Sequence, residues 1–151
     1  MDDEHLRRAT EEVHQSCLSM ALRQAARALT QRYDAAFSVV GIRSTQFSVL
    51  VALAQAPSVP LSRLAEALVM DRTTLTRNLA PLLRRGLVEE SAAADKRVRS
   101  YALTARGKQL LTRALPDWKG AQARILCALA KQDAEKLRRI LRAVVAAAQE
   151  D

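Results

Sequence analysis

Apolar residues recur along this chain at helical spacing, in blocks separated by short turn-forming segments. From Glu11 onward, Leu18, Leu22, Ala25, Ala26, Leu29, Tyr33, Ala36, Phe37 and Val40 mark one face of a long first helix, expected to end near Gly41. Ser44 stands as the cap of a second helix with the stripe Phe47, Leu50, Val51 and Ala54. That helix must stop before the segment from Pro57 to Pro60. Leu61 to Leu68 forms a short third helix ahead of a turn at Met70 and Asp71.

The following stretch, DRTTLTRNLAPLLRRG, is the most informative. Leu75, Leu79, Leu82 and Leu83 fall at i, i+4, i+7 and i+8, one dry stripe of a helix. A turn of about 100° per residue puts Thr73, Thr74, Arg77, Pro81 and Arg84 on the other side. Asp71 precedes the stripe as an N-cap, and Gly86 follows it as the residue that leaves the helix in a left-handed conformation. Pro81, inside the helix, supplies no N–H to the Arg77 carbonyl and predicts a bend.

Two helices joined by a turn of three or four residues make a helix-turn-helix. Behind it, Leu87–Ser91 and Arg99–Leu103 read as two short strands anchored by Val88, Tyr101 and Leu103. The loop between them, AAADKRV, is charged and holds little that packs. A hairpin with a basic tip directly after the second helix of a helix-turn-helix is a winged helix. Thr104 caps the next helix, with Leu111, Leu115, Trp118, Gln122, Ile125 and Leu129 along it and a kink or break expected at Pro116. Asp133 is the expected cap of a last helix with Leu137, Ile140, Leu141, Val144 and Val145 as its stripe.

The predicted class is therefore mainly α with a small β-hairpin wing, in a single domain spanning residues 1–151. Residues 44–104 form the winged helix-turn-helix, and 11–40 and 105–150 form long helices whose leucine stripes exceed what a lone winged helix can cover. A symmetric homodimer is the economical way to bury them.

Charge sharpens this picture. The chain carries a net +8, and 19 of its 24 basic residues are arginine. Between Leu61 and Lys108 there are ten Lys/Arg against five Asp/Glu, so the excess gathers around the helix-turn-helix and suits a polyanion. No phosphate-cradling glycine loop, metal-ligand cluster or nucleophile–base pairing is legible, so neither an enzyme, a metal site nor a cofactor is expected. No apolar run approaches the roughly 20 residues that span a bilayer. The opening MDDEHLRR holds no apolar core, so no membrane partner and a cytoplasmic location are expected. Cys17 and Cys127 lie far apart, and the default for each is a buried, inert thiol.

The segment LAEALVMDRTTLTRNLAPLLRRGLVEESAAADKRVRSYALTARG closely resembles the DNA-binding core of the MarR (multiple-antibiotic-resistance regulator) family. The matching parts are the LAxxL helix, DRTTLTR, GLVE, the D-x-R wing of Asp95 and Arg97, and LTxxG. LRQAARALTQRYDAAF and TQFSVLVAL look like the family's first two helices. The resemblance implies a homodimeric, sequence-specific transcriptional regulator, usually a repressor, that binds double-stranded DNA at a pseudo-palindromic operator. The helix from Asp71 to Arg85 would enter the major groove, with Thr73, Thr74, Thr76 and Arg77 reading bases and Arg72 and Asn78 at its edges on phosphate. The bend at Pro81 would lift the helix's second half from the DNA backbone. Arg97 would enter the minor groove, Asp95 would brace the wing, and Lys96 and Arg99 would meet phosphates.

The same resemblance implies release by a small, aromatic or phenolic ligand held between the long helices and the winged helix. Its expected lining is His14, Met20, Arg23, Phe47 and Trp118. The alternative trigger is peroxide, sensed through Cys17 and Cys127, although Ser44 and Phe47 stand where sensing members carry tyrosines. A second alternative is a winged helix that packages DNA or binds protein with little sequence preference.

Overall fold

The computed structural model describes residues 3–91 and 98–150. Seven helices and three short strands follow in the order α1 (Asp3–Ser16), α2 (Leu18–Phe37), α3 (Ser44–Leu53), β1 (Val59–Pro60), α4 (Leu61–Leu68), α5 (Arg72–Arg84), β2 (Val88–Ser91), β3 (Ser100–Leu103), α6 (Ala105–Leu126) and α7 (Lys131–Ala147). A 3₁₀ turn, Ser38–Val40, closes α2 and ends at Gly41, whose φ of 67° is the left-handed exit expected of a glycine.

The expected stripes form one core. Leu50 and Leu53 of α3, Leu64 of α4, and Leu75, Leu79 and Leu82 of α5 are all at most 1% exposed. Leu87 and Tyr101 close that core from the sheet side. Phe37 stacks on Phe47 with ring centroids 4.5 Å apart, joining the end of α2 to α3. The two expected strands form, each one residue shorter than its sequence signal, with Val88 opposite Leu103 and Ser91 opposite Ser100.

Several expectations are corrected. The first helix starts at Asp3 rather than Glu11 and is broken at Cys17, whose ψ of 105° is extended. No Gly or Pro marks that break; beside it, the Ser16 hydroxyl donates to the Glu12 carbonyl at 2.7 Å, an arrangement that bends helices. Ser44 is the first residue of α3 and not its cap. Gln46 Oε1 accepts the Arg43 N–H at 3.0 Å, and Asp34 Oδ1, ten residues back in α2, accepts the Ser44 N–H at 2.6 Å.

A third strand, β1, lies beyond β3 in the antiparallel order β1-β3-β2, with Val59 opposite Tyr101. No break forms at Pro116: α6 continues through it as one helix, as α5 does through Pro81. α7 starts after Ala130, so Asp133 sits in its first turn, where a carboxylate favours the helix dipole, rather than at its cap. Neither thiol is fully buried within the chain: Cys17 is half-buried and Cys127 is exposed at the end of α6.

Thr104 caps α6 as expected, accepting the Gly107 N–H at 3.0 Å while its hydroxyl donates to the Gly86 carbonyl at 2.7 Å. One side chain thus ties the start of α6 to the end of the helix-turn-helix.

Candidate nucleic-acid interface

α5 owes its position to its ends and its dry side. Asp71 Oδ1 accepts the Thr74 N–H at 2.8 Å, and Asp71 Oδ2 accepts the Thr74 hydroxyl at 2.6 Å. That hydroxyl and the backbone N–H hold the Asp71 carboxyl below its ordinary range, so the cap stays ionised at neutral pH. Gly86, at φ 63°, ends the helix. With its leucines in the core, α5 has one orientation available, and Arg72, Thr73, Thr74, Thr76 and Arg77 are all exposed.

These residues differ in what they can still bond. The Thr76 hydroxyl donates to the Arg72 carbonyl at 2.7 Å, and the half-buried Asn78 amide donates to the Thr74 carbonyl at 3.0 Å. Both side chains, with Thr74, are thereby turned along the helix, keeping acceptor capacity and a methyl or amide surface. Arg72, Thr73 and Arg77 have no partner among the described residues. Of the expected DNA contacts on α5, the readers Thr73 and Arg77 and the phosphate partner Arg72 hold donors ready for a ligand.

The wing contributes Arg99. Its Nη2 donates to Glu90 on the neighbouring strand, and its guanidinium stands over the Tyr101 ring, 6.0 Å from the centroid. Glu90 holds Arg99 above the ordinary arginine value, so it is charged at every working pH. Glu90 and Tyr101 are direct cross-strand partners, so register brings all three together. Asp95, Lys96 and Arg97 lie outside the described residues.

Arg72 and Arg99 meet across a recess of about 300 Å³ lined also by Leu61, Ser62 and Val98. Ser62 and Glu90 were not singled out in the sequence. The expected strand Leu87–Ser91 contains Glu90, but only the register places it on Arg99.

The expected effector residues do not converge. Phe47 and Trp118 line a cavity of about 160 Å³ with Tyr33, Phe37, Ser44 and Ser48, between α2, α3 and α6. There the Tyr33 hydroxyl donates to Gln122 of α6, and burial raises the Tyr33 phenol above its ordinary value. His14 and Met20 are exposed and line no part of this cavity, while Arg23 lies in a separate shallow recess with Arg27 and Thr30. Among the described residues, no three His, Cys, Asp or Glu side chains gather into a metal site, and no single helix is long and apolar enough to cross a membrane.

A basic helix held by its leucines beside a three-stranded wing defines a winged helix-turn-helix protein that presents cations and hydroxyls on one face. Comparison with known proteins carries this further. The MarR family's sequence profile matches residues 42–98. The chain is 34% identical over 130 residues to the transcriptional regulator HosA of Escherichia coli O127:H6, covering 82% of this chain and 96% of HosA. The transcriptional regulator MosR of M. tuberculosis, solved in complex with DNA, superposes with a TM-score of 0.76 at 36% identity, covering 87% of this chain and 98% of MosR. A mutant MarR from E. coli complexed with operator DNA shares the fold, with a TM-score of 0.79 at 22% identity over 87% of this chain and 96% of that one. The chain belongs to the MarR family: it is a DNA-binding transcriptional regulator of that type, not an enzyme.

Proposed function

We propose that the chain acts as a homodimeric repressor that reads a pseudo-palindromic operator with two copies of α5. The observation that carries this is the division of α5. Leu75, Leu79 and Leu82 fix it in the core, while Arg72, Thr73 and Arg77 face outward without partners among the described residues. Arg77 is suited to a guanine bonded bidentately, and Thr73 offers a hydroxyl to a base or phosphate and a methyl to thymine. Arg72 and Asn78 flank them on phosphate, and Thr74 and Thr76 add methyl contacts. In the wing, Arg97 takes the minor groove, Lys96 and Arg99 take phosphates, and Asp95 braces the loop.

Dimerisation through residues 11–40 and 105–150 is supported by apolar side chains left outside the core. Leu137, Ile140, Leu141 and Val145 of α7 and Leu18 and Leu29 of α2 are all exposed in the single chain. Residues 44–104 then project as the DNA-binding part. A dimer lying over its operator represses by occupying DNA that polymerase needs. Release by a small aromatic ligand fits the aromatic cavity at Phe47 and Trp118. At about 160 Å³ it lies below the roughly 300–1,000 Å³ of ordinary ligand sites, so α2, α3 and α6 must separate to admit one.

Selection of bound DNA from a random duplex pool tests this reading. A two-fold symmetric site with half-sites about one helical turn apart is expected, weakened by Arg77→Ala and by Arg97→Ala. Salt-sensitive binding to every duplex without enrichment would replace the repressor with a packaging protein. The selected duplex then serves as the probe for release by aromatic acids.

A further inference from the structure

The recess between α5 and the wing joins cations that the sequence places 27 residues apart. Arg72 opens α5, Arg99 leads into β3, and Ser62 stands in the first turn of α4. Arg72 and Ser62 have no partner among the described residues. A volume of about 300 Å³ is ample for one tetrahedral phosphate and its two flanking oxygens. Leu61 and Val98 complete the lining, and their side chains bring no negative charge to compete with an anion. No carboxylate is among the residues that line the recess, and Glu90, just outside that lining, holds Arg99.

We propose that this recess seats one backbone phosphate of bound DNA, shared by Arg72 and Arg99, and that Glu90 holds Arg99 in the free protein and yields it when DNA docks. The proposal rests on α5 and the wing facing the same duplex. A guanidinium has five N–H donors in a planar fork, and phosphate matches that fork as well as carboxylate does. Arg99 thus exchanges one oxyanion for another with little rearrangement, staying over Tyr101. Because Glu90 and Arg99 are both exposed, their ion pair is weak and screened, so the exchange is easy. Keeping Glu90 beside the incoming phosphate still costs affinity. Glu90 therefore tempers binding that Arg72 and Arg99 would otherwise make tighter.

The test uses salt titrations of the full chain on the duplex it selects, or on a random duplex should none be selected, so the seat is tested apart from sequence reading. The slope of log affinity against log salt counts phosphates neutralised. With one shared phosphate, Arg72→Ala and Arg99→Ala together lower the slope by about one per recess; with two separate phosphates they lower it by about two. On a selected duplex, replacing single phosphates by neutral methylphosphonates should find one position per half-site that cancels the effect of both arginine substitutions. Two different positions, or a double variant that loses two units of slope per recess, would overturn the shared seat. Glu90→Gln should tighten binding about three- to tenfold, and the gain should vanish in Arg99→Ala. No gain, or an equal gain without Arg99, would overturn the exchange.

Discussion

Asp34, near the end of α2, accepts the backbone N–H of Ser44 at 2.6 Å and the Arg43 guanidinium at 3.3 Å. A carboxylate from one helix thereby occupies the N-terminus of the next, doing the work that a Ser44 cap was expected to do. Partial burial pushes the Asp34 carboxyl up, but the hydrogen bonds from Ser44 and Arg43 outweigh it and leave it below its ordinary 3.8.

A carboxylate whose folded value is depressed contributes stability that is fully present above its unfolded value and is lost as pH falls through the folded one. Asp34→Ala should therefore cost about 1–2 kcal/mol at pH 7, the size of a lost cap. The difference from the unsubstituted protein should narrow on acidification below about pH 4. Urea midpoints of both proteins between pH 7 and pH 3 check this. A gap that stays constant with pH would show that packing, and not charge, is what Asp34 contributes.

Gly107 has a different constraint. A Cβ there would lie 2.0 Å from the Leu87 carbonyl oxygen, so α6 and the chain entering β2 approach as closely as backbone permits. The obstructing atom is backbone and cannot swing aside. Gly107→Ala should destabilise the fold by about 1–3 kcal/mol through forced separation of α6 from the hairpin. It should also weaken DNA binding, because the wing is displaced relative to α5. A substituted protein of unchanged denaturation midpoint would mean that α6 slides freely against the hairpin.

What the sequence made legible follows from how local each signal is. α5 is readable because Asp71, its leucine stripe and Gly86 act within a few residues of one another. The Asp34 cap is not, since its acceptor lies ten residues from the donor and depends on how α2 folds back. β1 has only Val59 and Pro60, and it is a strand only because β3 lies beside it. The same holds for the Glu90–Arg99–Tyr101 group, which needs strand register. Of the expected effector lining, Phe47 and Trp118 are brought together by the core, whereas His14, Met20 and Arg23 lie on helix faces away from that cavity, and no local pattern distinguishes the two groups.

Val69 marks the turn between α4 and α5 and is the only non-glycine residue with positive φ among those described, at 50°. Its backbone N–H bonds the Glu66 carbonyl at 3.1 Å, and the following Met70 N–H bonds the Ala65 carbonyl at 2.9 Å, closing α4 in the left-handed manner usual for glycine. A β-branched residue there costs about 1–3 kcal/mol, against about 0.5–1 kcal/mol of extra chain entropy for glycine. Since the Val69 side chain is more than half exposed, Val69→Gly gives up little packing. A net gain of about 1 kcal/mol is expected, seen as a rise of about 2–4 °C in Tm. An unchanged or lower Tm would mean that the valine's contacts outweigh its backbone cost.

The last prediction concerns α7. Leu137, Ile140 and Leu141 fall at i, i+3 and i+4 and are 44%, 46% and 36% exposed, a stripe that the rest of the chain does not cover. Basic residues Arg138, Arg139 and Arg142 flank it, so the stripe is a bounded strip rather than general apolarity. If a second copy covers it, Leu137→Asp with Leu141→Asp places two carboxylates in that interface, and each must be stripped of water there. Sedimentation should then report a monomer at micromolar concentrations where the unsubstituted chain is a dimer. Because the winged-helix core is distant in sequence and has its own buried leucines, the monomer should keep its helical circular dichroism and its nonspecific affinity for DNA. It should lose the tighter binding that comes from engaging two half-sites at once. A doubly substituted protein that remains dimeric would move the interface to α2 and α6, where Leu18, Leu29 and Leu115 are exposed.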